Sequence, residues 1–100
     1  MEMLIKIHKA YRDVVALCDS DLLGMKFEEG IKILEIKENF YKGEKKSEEE
    51  LIELLIDLSK EDATFNIVGK NSVNCAVKVG IIKREGVKTI QEVPFALVLL

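Results

Sequence analysis

The sequence predicts an α+β fold: one small domain over residues 1–100, with a mixed or antiparallel sheet of N- and C-terminal strands, one main helix at about 48–60 and a short helix at about 71–79. Three observations carry this reading. Strand-like segments gather at both ends of the chain, with helix signals between them and no regular strand–helix alternation of the doubly wound kind. Ser47-Glu48-Glu49-Glu50 opens a leucine stripe at helical spacing. Gly69 and Gly80 bracket a second short segment that begins with polar caps. At 48% hydrophobic and 33% charged, the 100 residues have a globular balance and can bury one modest core.

Met3-Leu4-Ile5-Lys6-Ile7-His8 reads as a strand with Met3, Ile5 and Ile7 on one face and Lys6 and His8 on the other. Residues 9–13 form a hairpin turn, and Val14-Val15-Ala16-Leu17-Cys18 follows as an apolar strand interior to the sheet. Asp19-Ser20-Asp21 offers capping oxygens to a helical turn at Leu22-Leu23 that Gly24 ends. Ile31 and Ile33 set one face of a further strand, whose pattern slips at Leu34 and Ile36, as a bulged or two-sided strand would. Phe40-Tyr41 sits in a loop or single helical turn, and Lys45-Lys46 reads as the solvated entrance to the main helix. That helix starts at the Ser47 capping box, buries Leu51, Leu54, Leu55 and Leu58 with Ile52 and Ile56 beside them, and carries Lys60 in its last turn. Ala63–Val68 is a short β-prone run, and Asn71 or Ser72 caps a helix that Gly80 stops. Residues 87–90 alternate as a strand, and Pro94 places the start of the last strand at Phe95.

Composition narrows function. No apolar run reaches the ~20 residues of a membrane helix, the N-terminus lacks a signal-peptide pattern, and the expectation is a cytoplasmic protein without membrane association. Cys18, Cys75 and His8 fall short of the four ligands of a structural zinc site, so no metal and no cofactor is expected. No DNA-binding motif is present. Lys exceeds Arg and Glu exceeds Asp, a bias seen in proteins of hot-living organisms. Residues 1–62 hold 10 Lys/Arg against 16 Asp/Glu (−6), whereas residues 63–100 hold 5 against 2 (+3).

The densest run of special residues is 66–80. Gly69-Lys70-Asn71-Ser72 fails as a nucleotide phosphate loop, because Thr64 stands where that motif needs glycine and the serine comes one place late. What survives is a glycine turn before a helix, which is either a plain cap or an anion site made of free N–H groups and Lys70. Asn66, Gly69, Lys70, Asn71 and Ser72 are therefore the candidate ligand- or partner-binding residues, with Asp19, Tyr41 and Cys75 as secondary candidates and no catalytic residue assigned. Cys75 is a nucleophile only if its thiolate is stabilised, and a small apolar core residue otherwise. Tyr41 and Phe40 either stack on a ligand ring or pin a loop to the core. Asp19 and Asp21 suit a hard cation only with further ligands, and helix capping is the simpler role. His8, alone beside a turn, reads as a solvated strand residue.

Asn66-Ile67-Val68-Gly69 with Ser72-Val73, Ala76 and Gly80-Ile81-Ile82 resembles the small archaeal proteins of domain-of-unknown-function family 424, as do Cys18-Asp19-Ser20-Asp21-Leu22-Leu23-Gly24, Gly30 and Phe40-Tyr41-Lys42-Gly43. The resemblance implies an archaeal, cytoplasmic, single-domain protein and implies no activity. Missing a catalytic constellation, the chain is expected to be a non-enzymatic binding module, its partner an RNA or a protein of the translation or RNA-processing machinery. The alternatives are a small enzyme or anionic-ligand-binding protein that uses the Asn66–Ser72 turn, or a structural subunit of a larger assembly.

Overall fold

Alternation in β1 (Met3–His8) and β2 (Asp13–Asp19) builds the centre of the molecule, because each strand sends apolar side chains to both faces. A computed structural model describes residues 2–99. Six strands form one sheet in the order β5-β1-β2-β6-β8-β7, comprising β5 (Glu44–Lys46), β6 (Ala63–Val68), β7 (Lys88–Ile90) and β8 (Val93–Leu99) besides the first two. Every neighbouring pair is antiparallel except β2 and β6, which run parallel, so the sheet is mixed. A separate two-stranded ribbon pairs β3 (Lys26–Glu29) with β4 (Lys32–Glu35).

The two faces of the sheet hold two cores. On one face Met3, Ile5, Val15, Leu17, Phe65 and Ile67 pack against helices α2 (Glu48–Leu58) and α3 (Lys70–Val79). On the other, Leu4, Ala16, Cys18 and Val68 pack with Ile36, Tyr41 and side chains of the ribbon. Burial on both faces accounts for the unbroken apolar run of β2. The short helix α1 (Glu38–Tyr41) seals this second layer, with the Phe40 ring stacked on His8 at 4.7 Å between centroids.

The helix α2 has the capping box expected of it: Ser47 Oγ accepts from the Glu50 amide (3.3 Å) and Glu50 Oε1 from the Ser47 amide (3.0 Å). It ends at Leu58, so Lys60 lies beyond its last turn. Leu51 and Leu55 are fully buried, whereas Ile56 faces solvent. Gly80 adopts the left-handed conformation (φ 92°) that closes α3.

Three local expectations are corrected, and one strand is added where none was expected. Lys45 and Lys46 lie in β5, paired to Leu4 and Met3, because the open edge of β1 supplies a partner that local composition does not reveal. Met25–Glu29, which carries no strand signal, contains β3 because β4 pairs with it. In β4 and its flanks the buried side is that of Leu34 and Ile36, while Ile33 is 63% and Ile31 101% exposed, so only one of the two apolar sides is buried, and the register with β3 runs without a bulge. Pro94 lies within β8 rather than before it. It sits one residue outside the register with β6, whose last pair is Val68 with Phe95, and there only its carbonyl is engaged, by the Gly69 amide at 2.8 Å.

Candidate functional site

The strand alternation that buries Val15 and Leu17 carries the next residue on that face, Asp19, to the end of β2. Because β2 and β6 are parallel and in register from Asp13–Ala63 to Cys18–Val68, Asp19 arrives level with Gly69, where α3 begins. Its carboxylate is 5% exposed and accepts three hydrogen bonds: from the Asn71 amide to Oδ2 (3.1 Å), and from the Ser72 amide and the Ser72 hydroxyl to Oδ1 (2.8 Å each). A carboxylate in that place satisfies donors a helix start leaves open and meets the positive end of its dipole. Neither Asn71 nor Ser72 caps α3; both are inside the helix, Gly69 precedes it, and the cap comes from a residue more than fifty positions away. Nor does Asp19 cap the 3-10 turn Ser20–Leu22 that follows it.

Gly69 makes this approach feasible. Its backbone (φ 112°, ψ 151°) belongs to a region that side-chain-bearing residues rarely enter, and a Cβ built there would lie 2.4 Å from Asp19 Cγ. Glycine is thus required twice, by torsion and by contact.

A cleft of about 310 Å³ opens beside this junction, lined by Asp19, Asp21, Leu22, Lys70, Asn71, Glu92, Val93 and Pro94. Leu22, Val93 and Pro94 form its apolar part, and Asp21, Lys70 and Glu92 are charged and exposed around it. Its far wall is the β7–β8 turn, where Gln91 (φ 48°) and Glu92 (φ 68°) both take left-handed backbone, the type I′ geometry that favours Asn-Gly. Two contacts to the ribbon hold this strained turn: the Gln91 amide donates to Glu29 Oε1 (2.8 Å) and Gln91 Nε2 to the Glu28 carbonyl (2.7 Å).

Of the candidate residues, the fold thus brings Asp19, Gly69, Lys70, Asn71 and Ser72 together, with Asp21 and Glu92 added to them. Asn66 stands apart, in the middle of β6 opposite Ala16 and Leu97. Tyr41 is buried in the second core, and burial raises its phenol to about 12; its ring is not presented to a ligand. Cys75 lies in the first core, on the buried side of α3, and burial raises its thiol above the ordinary value. Cys18 is buried on the other face of the sheet, its thiol raised to about 12 by burial and then by the charges of Asp19 and Asp21. Both cysteines are free, and neither lines the cleft. Among the described residues no group of three or more His, Cys, Asp or Glu side chains is placed to hold a metal ion, and no helix is long and apolar enough to cross a membrane.

Comparison with known proteins agrees with this architecture. No curated protein matches the chain. The crystal structure of an uncharacterized conserved protein from Methanopyrus kandleri is similar, with a TM-score of 0.85 and 23% identity, covering 99% of this chain and 93% of that one. At that identity the likeness speaks for the fold alone. Residues 8–100 match the model of a family described as protein of unknown function (DUF424), and the chain belongs to that family.

Proposed function

We propose that this chain is a single-domain, cytoplasmic, non-enzymatic interaction module that docks a protein partner over the cleft at the carboxyl ends of β2 and β6. The observation that carries the proposal is the position of Asp19. Its carboxylate already takes the Asn71 and Ser72 donors that an anionic ligand would need, so the anion-binding alternative loses its main source of affinity. What remains for a partner is an apolar patch rimmed by charges of both signs, which suits a protein surface better than a polyphosphate backbone. Ile31 offers a further exposed apolar side chain at the tip of the ribbon. Gly30 (φ 65°) and Ile31 form the two-residue tip of the ribbon, and Ile31 is fully exposed where a polar residue would serve the turn equally well. Gln91 ties the tip end of the ribbon to the turn that borders the cleft.

Two further observations support the non-enzymatic, cytoplasmic reading. The two thiols are buried and protonated at neutral pH, and His8 Nε2 is 2.8 Å from the Phe40 carbonyl beneath the Phe40 ring. Free cysteines are at home in a reducing compartment.

The test is affinity capture from a lysate of the source organism with immobilised wild type and the Lys70→Glu variant, the bound protein and RNA being identified at low and moderate salt. A protein retained by the wild type and lost on Lys70→Glu is the expected outcome. RNA retained in a steeply salt-dependent way, and released by the same substitution, would replace the protein partner with a nucleic acid.

A further inference from the structure

A second cavity, of about 380 Å³, lies at the opposite edge of the main sheet from β7. Its lining is Ile5, Lys6, Ile7, Lys42, Gly43, Glu44, Lys46 and Leu54. The cavity exists because β5 is too short to cover β1: the last pair is Ile5 with Glu44, so Lys6 and Ile7 have no β5 partner. At the point where the chain leaves, Gly43 rests against β1 so closely that a Cβ would lie 2.1 Å from the Ile5 carbonyl oxygen. No side chain fits at that position, so β5 can leave β1 here only through a glycine. The helix α2 roofs it with Leu54. Ile7 and Leu54 belong to the first core, yet both remain only half-buried.

The charges around this space run against those of the chain that builds it. Residues 1–62 carry a balance of −6, but the lining has three lysines and one glutamate. Lys6 donates to the Asn39 carbonyl (3.0 Å), and Lys46 pairs with Glu44 (3.2 Å). Lys42 is exposed and has no partner of either kind among the described residues, which leaves the mouth of an aliphatic slot with an uncompensated positive charge. The volume is within the ~300–1,000 Å³ usual for small-molecule sites, and the mixture of apolar walls with a few polar groups is the usual composition of one.

We infer that this cavity binds a small amphipathic anion: an aliphatic chain seated between Ile5, Ile7 and Leu54, with its carboxylate or phosphate head at Lys42 and Lys46. The site is separate from the cleft beside Asp19 and does not depend on the docking proposal.

Octanoate serves as the probe, followed by amide NMR on the ¹⁵N-labelled full chain below the concentration at which the probe self-associates. Saturable shifts should appear at Ile5, Ile7, Gly43 and Leu54, with little change at Asn71 and Ser72. Octylammonium, with the same chain and the opposite head charge, should bind at least about fivefold more weakly, and Lys42→Glu should weaken octanoate by about five- to tenfold. Lys42 is exposed, so this variant keeps the fold, and its spectrum in the absence of the probe verifies that. Acetate separates the head from the chain and should give no saturable shift. Equal binding of the two octyl probes, shifts unaffected by Lys42→Glu, or no saturable shift with octanoate would each overturn the inference.

Discussion

Asp19→Ala should lower the free energy of unfolding by about 3 kcal/mol, the sum of a lost helix cap and of buried donors left without a partner. Three donors lose their acceptor at once: the amides of Asn71 and Ser72 and the Ser72 hydroxyl. Ser72 is fully buried, so water cannot replace the carboxylate without opening the junction between β2 and α3. The favourable interaction of a negative charge with the start of α3 is lost as well. Urea denaturation measures the effect as a shifted midpoint at unchanged slope. Asp19→Asn keeps an acceptor oxygen but not the charge and should fall between alanine and wild type. A loss below about 1 kcal/mol for Asp19→Ala would show that these bonds count no more than an ordinary exposed cap.

Gly69→Ala should be at least as damaging, at about 3 kcal/mol, because it combines a backbone torsion that disfavours any side chain with a direct collision. The added Cβ would lie 2.4 Å from Asp19 Cγ and 2.7 Å from each carboxylate oxygen. Relief requires moving a carboxylate that is itself buried and bonded three times, so much of the cost passes through Asp19. This makes the two substitutions non-additive. In the Asp19→Ala background the collision is gone, and Gly69→Ala should retain only its torsional cost, giving a coupling energy on the order of 1–2 kcal/mol in a double-mutant cycle. Strict additivity would mean that glycine is needed at this position for its backbone alone.

Local patterning made much of this fold readable. Alternation in Met3–His8, the two-sided apolar run before Asp19 and the Ser47 capping box each rest on residues within a few positions of one another, and each appears in the structure. The elements that escaped are those whose cause is remote. Lys26-Phe27-Glu28-Glu29 and Glu44-Lys45-Lys46 have too little apolar alternation to declare themselves, and become strands through the partners β4 and β1. Ile31 and Ile33 form half of a plausible buried face by spacing, but the core lies on the side of Leu34 and Ile36, a choice made by where the ribbon packs.

The candidate site divides in the same way. Gly69 through Ser72 could be singled out as a turn entering a helix, from the glycine and the polar residues after it. That Asp19 completes this turn follows only from the parallel register of β2 with β6, which no local pattern encodes. Glu92 was equally out of reach, since Gln91-Glu92 lacks the Asn-Gly signature of a type I′ turn and is stabilised by Glu28 and Glu29 on another sheet. The functional consequence is a change of sign. A segment that looks from sequence like a receptor for an anion has received one from its own chain.

That claim is open to direct measurement. Inorganic phosphate at millimolar concentration is titrated into ¹⁵N-labelled wild-type protein, and the amide resonances of Lys70, Asn71 and Ser72 are followed. With Asp19 seated on α3, these amides should show no saturable shift. Saturable binding of phosphate at Asn71 and Ser72 in the wild-type chain would contradict the account, because those donors would then be available to a ligand after all.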